Sequence, residues 1–591
     1  MAHLTRAVVA FAAIAALVTA CAPGTQTKKS APPRTVNATT TVASNVRFAD
    51  YAGTQACAGC HASYVARWRQ TPMHNMTRAG SVADVKGPFD GSELHFHGDV
   101  ARLEKSGADR FVTIQSARLG TSTYKLTRVI GGHHREDYAG ISVGGVGGPV
   151  LGDATEELVL PVSFVLGSKT LRYKGYSVMV KERDGLKAGP VWNQTCIFCH
   201  NTVPYASTVL GALAGTGGYQ GEVVDPLLPA SMRAKYTVTD ENAFRDLLRD
   251  EEHRLGSQSP PDLKSTIAVT RNRFKADDLV EVGIGCESCH LGAAAHAKDP
   301  GHLPSFEPIS DAFAVTLPKE NRAAQINRAC ARCHQVLFSG YEHTWEGGNR
   351  KRNPGGSNIN SGEARDMMLG SCATKLACTG CHDVHDADGT TKLRALTPAR
   401  EDALCTTCHA ELASNDALKA HSHHDPAREG ARCLGCHMPR KNMALDGTLS
   451  RYHRIGSPND PAKVLLDRPI ECALCHADKS VATLVTTMET WWKRPFERGA
   501  LERLYGSLDA NVVLATAERG KPHEQAVAFA LLGENRTKAG IPVLAAQLTH
   551  PYPIVRGYAK RALDAILGTP APIDIDASDE VIAEQAKRYA R

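Results

Sequence analysis

Cys57-Ala58-Gly59-Cys60-His61 is the first of eight C-x-x-C-H runs in this chain. The others are Cys196, Cys199 and His200; Cys286, Cys289 and His290; Cys330, Cys333 and His334; and Cys378, Cys381 and His382. Then follow Cys405, Cys408 and His409; Cys433, Cys436 and His437; and Cys472, Cys475 and His476. Two thiols at this spacing match the two vinyl groups of one haem, and the adjacent imidazole turns back to the iron as proximal ligand. At the chain's own Cys and His frequencies, chance would supply roughly 0.02 such runs. The motifs use all but two of the 18 cysteines, leaving Cys21 and Cys372. A disulfide scaffold would not follow each C-x-x-C pair with His. A zinc knuckle needs two pairs per metal and leaves the His unexplained. The expected cofactor load is eight covalently bound haem c.

Around these runs the chain divides by composition. Ala7–Val18 is a short apolar run after Arg6, too short for a permanent span and suited to a signal peptide over residues 1–20. It ends in Leu17-Val18-Thr19-Ala20-Cys21, which resembles the lipobox of bacterial lipoproteins. That reading makes Cys21 a lipid anchor to the membrane, and Ala22 in place of Asp points to the outer membrane. The alternative is an ordinary signal peptide cut near Ala20 or Ala22. Residues 21–47 are rich in Pro, Thr, Ser and Lys and read as a flexible tether. The expected location is exported, as a periplasmic or outer-membrane lipoprotein. Net charge is +6, with no basic cluster interleaved with aromatics, so nucleic acid is not an expected partner.

Residues 48–480 hold every motif and form the expected octahaem domain. Its fold class is expected to be mainly α, with few regular strands in the haem core. An antiparallel β insertion is expected over about 88–190. Strand-like runs there are Leu94–His97, Arg110–Ile114, Tyr124–Ile130, Leu158–Leu166 and Tyr173–Val180, with a turn at Ser106-Gly107-Ala108-Asp109. Residues 481–591 carry apolar helical stretches in the style of HEAT repeats, with a plain helical bundle as the alternative. Either suits a cap or a docking surface for a partner.

The second axial ligand decides between wire and enzyme, because a second His closes the iron and an open side admits substrate. Of 25 His, eight are proximal, and His3, His523 and His550 lie in the signal and C-terminal regions, leaving 14 candidates. His74, His296, His343, His385 and His453 lie near motifs, and His421, His423 and His424 cluster before Cys433. His133 and His134 end a predicted strand. The distal set carried forward is His74, His134, His296, His343, His385, His421, His424 and His453. His385 is too close to His382 to reach the far face of the same haem, so it should serve a neighbour. Met73, Met76, Met367, Met368 and Met438 are available, but the surplus of His favours bis-His haems of low potential.

His74 in Trp68-Arg69-Gln70-Thr71-Pro72-Met73-His74, Cys286–His290 with His296, and Cys378–His382 with His385 resemble the multihaem cytochromes related to cytochrome c-554. His421-Ser422-His423-His424 before Cys433, with the later His453, resembles the same superfamily, which includes octahaem hydroxylamine oxidoreductases and pentahaem nitrite reductases. The resemblance covers about residues 48–480. It implies electron transfer in a respiratory chain between redox partner proteins. The alternative it implies is an octahaem oxidoreductase acting on hydroxylamine, nitrite or tetrathionate at one open haem. Two departures weigh against the latter. No motif ends in Lys, and no Tyr matches the one cross-linked to the catalytic haem. The reading therefore favours an electron carrier, with no catalytic residue assigned. Cys372 is most simply a buried free thiol.

Overall fold

The computed structural model describes residues 42–82, 84–146, 156–207, 222–224, 235–254, 278–316, 321–334, 341–349, 355–390 and 402–590. The signal sequence, Cys21 and most of the expected tether lie outside them. The last tether residues are docked. Val46 and Asn45 are buried, Asn45 exchanges hydrogen bonds with Ile309 and Glu307, and the Val46 carbonyl accepts from Ala206 at 3.0 Å. Among the described residues no helix is long and apolar enough to cross a membrane.

The expectation of a mainly α fold with few strands is overturned by a large antiparallel sheet in the N-terminal half. Its strands are β1 Thr77–Ala79, β2 Glu93–Phe96, β3 Asp99–Ser106, β4 Asp109–Ser116, β5 Gly120–Gly131, β6 Arg135–Val146, β7 Leu158–Val165 and β8 Thr170–Tyr173. They pair in the order β2 to β8, and β1 adds to β5 with Thr77 opposite Ile130. The sheet curls until its two edges meet, where Phe96 of β2 stacks on Tyr173 of β8 at 4.1 Å. Alternating residues of β3 and β4 fill its interior with Ala101, Leu103, Val112 and Ile114, the period-two pattern of a half-buried strand.

The sheet is larger than its sequence signal because β6 carries glycine where a strand pattern wants β-branched residues. A Cβ on Gly140 would lie 2.5 Å from the Lys125 carbonyl oxygen, so only glycine lets β5 and β6 approach there. Bulges at Thr123/Tyr124 and Leu126/Arg128 also break the alternation in the pairing. Residues Tyr173–Val180, expected as a strand, give up β8 at Tyr173 and turn through a 3-10 helix over Lys174–Ser177. Two further small sheets lie among the motifs: β9 Glu222–Val224, β10 Lys235–Val238 and β11 Phe313–Thr316; and β12 Arg440–Met443 with β13 Leu449–Arg451.

The sheet matters to the motifs because β7 is buried along almost its whole length, with both faces covered. One face completes the sheet's own interior. The other packs Val159, with Ile130 and Ala139, against Trp192 and Ile197, the residues that flank and enter the second motif.

The helices that frame the remaining motifs are α1 Thr54–Trp68, α2 Glu241–Arg254, α3 Arg322–Ala331, α4 Glu363–Leu369 and α5 Asn415–Ser422. After them come α6 Val481–Trp492, α7 Arg498–Tyr505, α8 Val512–Arg519, α9 Pro522–Glu534, α10 Ile541–Ala546, α11 Pro553–Leu567 and α12 Asp579–Ala586. Their core, with Phe529, Leu532, Val555 and Leu563, runs without a break into Trp345, Met443, Tyr452 and Ile470 of the motif region. Close packing of α9 on α11 rests on Gly533, where a Cβ would lie 2.8 Å from the Ala562 Cα.

Candidate haem sites

Each motif forms one helical turn. The His backbone N–H donates to the carbonyl of the first Cys at 3.2 Å in the second motif, 3.0 Å in the third, fourth, fifth and eighth, and 2.9 Å in the sixth. The first motif lies in α1 and the seventh in a helix over Cys433–His437. In such a turn residues three and four apart share a face, so two thiols and the imidazole converge on one edge. None of the described cysteines is bridged, which leaves the thiols available to vinyl groups. Among the described residues no group of three or more His, Cys, Asp or Glu converges to hold a bare ion, as a zinc knuckle would require.

Five motif histidines face a second imidazole across a narrow range of distance. His61 faces His296 with ring centroids 6.2 Å apart, His290 faces His385 at 6.5 Å, and His382 faces His453 at 6.4 Å. His437 faces His421 at 6.0 Å, and His476 faces His424 at 6.1 Å. A metal–imidazole bond of about 2 Å on each side, plus about 1.1 Å from nitrogen to ring centre, gives about 6.2 Å. The spacing fits one iron between each pair.

Ring nitrogens are assigned by their second partners. The Nδ1 of His382 donates to the Gly389 carbonyl at 3.3 Å, that of His453 to Arg451 at 3.0 Å, that of His437 to Gly456 at 2.9 Å and that of His424 to Ser422 at 2.6 Å. Nε2 is then left for the metal. The Nδ1 atoms of His200 and His296 are buried without a hydrogen-bond partner, and that of His74 has the Glu281 carboxylate at 3.9 Å. Burial pulls the imidazoles of His74, His134, His385, His421 and His453 below their ordinary pKa, and pulls His200 and His290 down to about 4. All are therefore neutral at neutral pH, the form that ligates.

The three clustered histidines separate. His423 caps α5 in the left-handed conformation, with φ 57°, and stacks on Trp491 at 4.7 Å. That reversal of the chain sends His421 and His424 to two different motifs. His385 leaves the fifth motif for the third, held between the edges of Tyr64 and Trp68 of α1.

Other expected ligands face elsewhere. His343 lies 6.5 Å from His523 rather than from a motif histidine, and His134 packs edge-on against His133 at 4.4 Å. His74 sits beside the second motif, because Thr77 of the same segment donates to the His200 carbonyl at 2.9 Å, but its ring has Glu281 for a neighbour at 3.9 Å. Among the described residues no second imidazole faces His200, His334 or His409 at the iron-spanning distance. His334 instead directs Nδ1 to the Glu363 carboxylate at 3.3 Å. Partial desolvation lowers the pKa of His334, whose side chain is 48% exposed, and Glu363 raises it to about 9.

Motifs are joined in space by their thiols. Cys57 contacts Cys286, Cys199 contacts Cys333, Cys330 contacts Cys378, and Cys405 contacts Cys433. Buried polar side chains fix three of these junctions. Glu287, inside the third motif, accepts the Ala52 and Gly53 N–H groups at 3.0 and 2.6 Å, just before α1, while Thr54 accepts from Cys286 at 3.1 Å. Asn327 of α3 accepts from the Cys378 N–H at 2.8 Å and donates to Ala373 and Leu376 at 2.8 and 3.0 Å. Asp402 accepts from the Cys433 N–H at 2.9 Å. Sequence reasoning missed all four clamps. Their only signal is polar residues at positions that turn out to be buried.

The family described as cytochrome c554 and c-prime matches residues 329–410, a span that holds the fourth, fifth and sixth motifs. No curated protein matches the chain. A solved structure, that of the outer cell wall cytochrome OcwA, aligns over 88% of this chain and 100% of its own, at 13% identity and a TM-score of 0.38. The motifs and the family match together make this chain a multihaem c-type cytochrome, with haem c bound covalently, that acts in electron transfer.

Proposed function

We propose that this chain carries eight haem c groups and relays electrons in a respiratory chain between redox partner proteins. The observation that carries the reading is the set of five imidazole pairs at 6.0 to 6.5 Å. Haem c, once attached, supplies a one-electron couple. The chain's histidines would hold each iron, and its packing keeps the first motif against the third, the second against the fourth, the fourth against the fifth and the sixth against the seventh. The axial pairs under this reading are His61 with His296, His290 with His385, His382 with His453, His437 with His421 and His476 with His424. Two nitrogen ligands close an iron to substrate and favour a low potential. Thiol contacts between motifs support short transfer distances.

A second reading has its own observation. His200, His334 and His409 face no second imidazole among the described residues. An open iron at one of them would make the chain an oxidoreductase of a small nitrogen or sulfur compound, such as hydroxylamine, nitrite or tetrathionate.

Export follows from the signal-like N-terminus and from where haem is attached to C-x-x-C-H in bacteria, and Cys21 is proposed as the lipid anchor. The helices of residues 481–591 are proposed as HEAT-like and as a docking surface.

The deciding experiment is an electron paramagnetic resonance spectrum of the oxidised protein with haem quantified. Eight haems, all low-spin, support the relay. About one high-spin haem brings the oxidoreductase reading forward, and fewer than eight haems refutes the count.

A further inference from the structure

We propose that Glu363 is the positioning residue that sets the potential of the haem at the fourth motif, and that this haem is the branch point of the array. The inference rests on the octahaem reading above.

The fourth motif touches more motifs than any other described. Cys333 contacts Cys199 of the second motif, and Cys330 contacts Cys378 of the fifth. Cys289 of the third lies within the field of both Cys330 and Cys333. Arg332, between the two thiols, donates to the Ser288 carbonyl of the third motif at 3.2 Å, and its own carbonyl lies 3.9 Å from the Cys199 sulfur. An electron moving between the second, third and fifth motifs therefore has the fourth as common neighbour.

The carboxylate is built into that junction. Glu363 opens α4, whose Arg365 N–H donates to the His334 carbonyl at 3.2 Å. One carboxylate oxygen of Glu363 accepts the Ser361 N–H at 2.8 Å, and the other faces His334 Nδ1 at 3.3 Å. Ser361 has φ 79°, a left-handed conformation that a non-glycine residue seldom adopts and that marks an imposed geometry. The other motif imidazoles with a hydrogen-bonded Nδ1, His382 and His437, use neutral backbone carbonyls. His409 has Glu411 at 3.4 Å, with side chains 58% and 68% exposed against 48% and 28% for His334 and Glu363, so water weakens that charge more.

A carboxylate on Nδ1–H makes the imidazole a stronger donor and stabilises the more positive, ferric state. Glu363 therefore lowers the potential of the fourth haem. Electrons cross the junction without resting on it, and its neighbours hold them.

The test is a spectropotentiometric titration of the full-length holoprotein and its Glu363→Gln variant, which keeps an acceptor and loses the charge. One reduction wave should become easier by at least tenfold, about 59 mV for one electron, with the others in place. Glu411→Gln should superimpose on the parent. An unchanged curve for Glu363→Gln, or an equal rise of every wave, overturns the proposal. Mass spectrometry of the peptide bearing Cys330 to His334 separates the two levels. If that peptide carries haem and the wave does not move, only this inference fails. If it carries none, the octahaem count fails with it. Glu363→Ala adds a check on size, and the Gln variant decides if Ala fails to accumulate.

Discussion

Replacing His453 with alanine tests the axial pairing at its best-defined pair. His382 and His453 lie 6.4 Å apart between ring centroids, and both Nδ1 atoms are taken by backbone carbonyls, at 3.3 and 3.0 Å. Subtracting about 1.1 Å for each ring leaves about 4.2 Å between the facing nitrogens, two metal–nitrogen bonds of about 2.1 Å. Alanine removes one of those ligands and nothing covalent, so the haem count should hold. One iron should pass from six to five ligands, moving the low-spin intensity of one haem to high spin. The assay is the resonance spectrum of the oxidised variant against parent, with haem measured by the pyridine method. His423→Ala is the control, because that ring stacks on Trp491 and faces no motif histidine. A low-spin intensity unchanged in His453→Ala would refute the reasoning from ring spacing, as would an equal loss in His423→Ala.

Three further outcomes are expected. Asp366 is fully buried, and burial raises its carboxyl from 3.8 to about 7 despite hydrogen bonds from Ser357. Its folded pKa exceeds its unfolded one, so stability present at low pH is lost as pH rises toward 7. The loss is about 3 kcal/mol between pH 5 and 8, and Asp366→Asn should flatten that slope in denaturation midpoints. Trp192→Ala, at a fully buried ring between β7 and the second motif, should cost about 3 to 5 kcal/mol and lower haem attachment at Cys196 and Cys199. Asn327→Ala strands the Cys378 N–H and the Ala373 and Leu376 carbonyls. It should cost about 2 to 4 kcal/mol, and Asn327→Asp should rescue only the Cys378 contact.

Sequence and structure divide along the range of the interactions. The motif turns are local, so spacing alone sets the two thiols and the imidazole of each run on one edge. Partner choice is not local. His385 lies three residues from His382 yet faces His290, and only α1, through Tyr64 and Trp68, makes that choice visible. His343 reads as a ligand by its place in the chain, but it faces His523, a residue set aside for lying far downstream. The sheet was partly legible where β4 alternates. It was hidden at β6, because close approach to β5 selects glycine and erases the pattern that marks a strand. Asn45 and Val46 read as tether by composition and are buried by a contact with residues more than 150 positions away.

The four thiol contacts between motifs also bear on how the protein is made. Before attachment, Cys57 and Cys286, Cys199 and Cys333, Cys330 and Cys378, and Cys405 and Cys433 are neighbours once the chain collapses. In an oxidising compartment such neighbours form disulfides, and each wrong bond would block two attachment sites at once. A chain packed this way needs its thiols kept reduced, or its haems attached in chain order before distant motifs meet. The compactness that serves the finished cytochrome is thus a hazard to the nascent one.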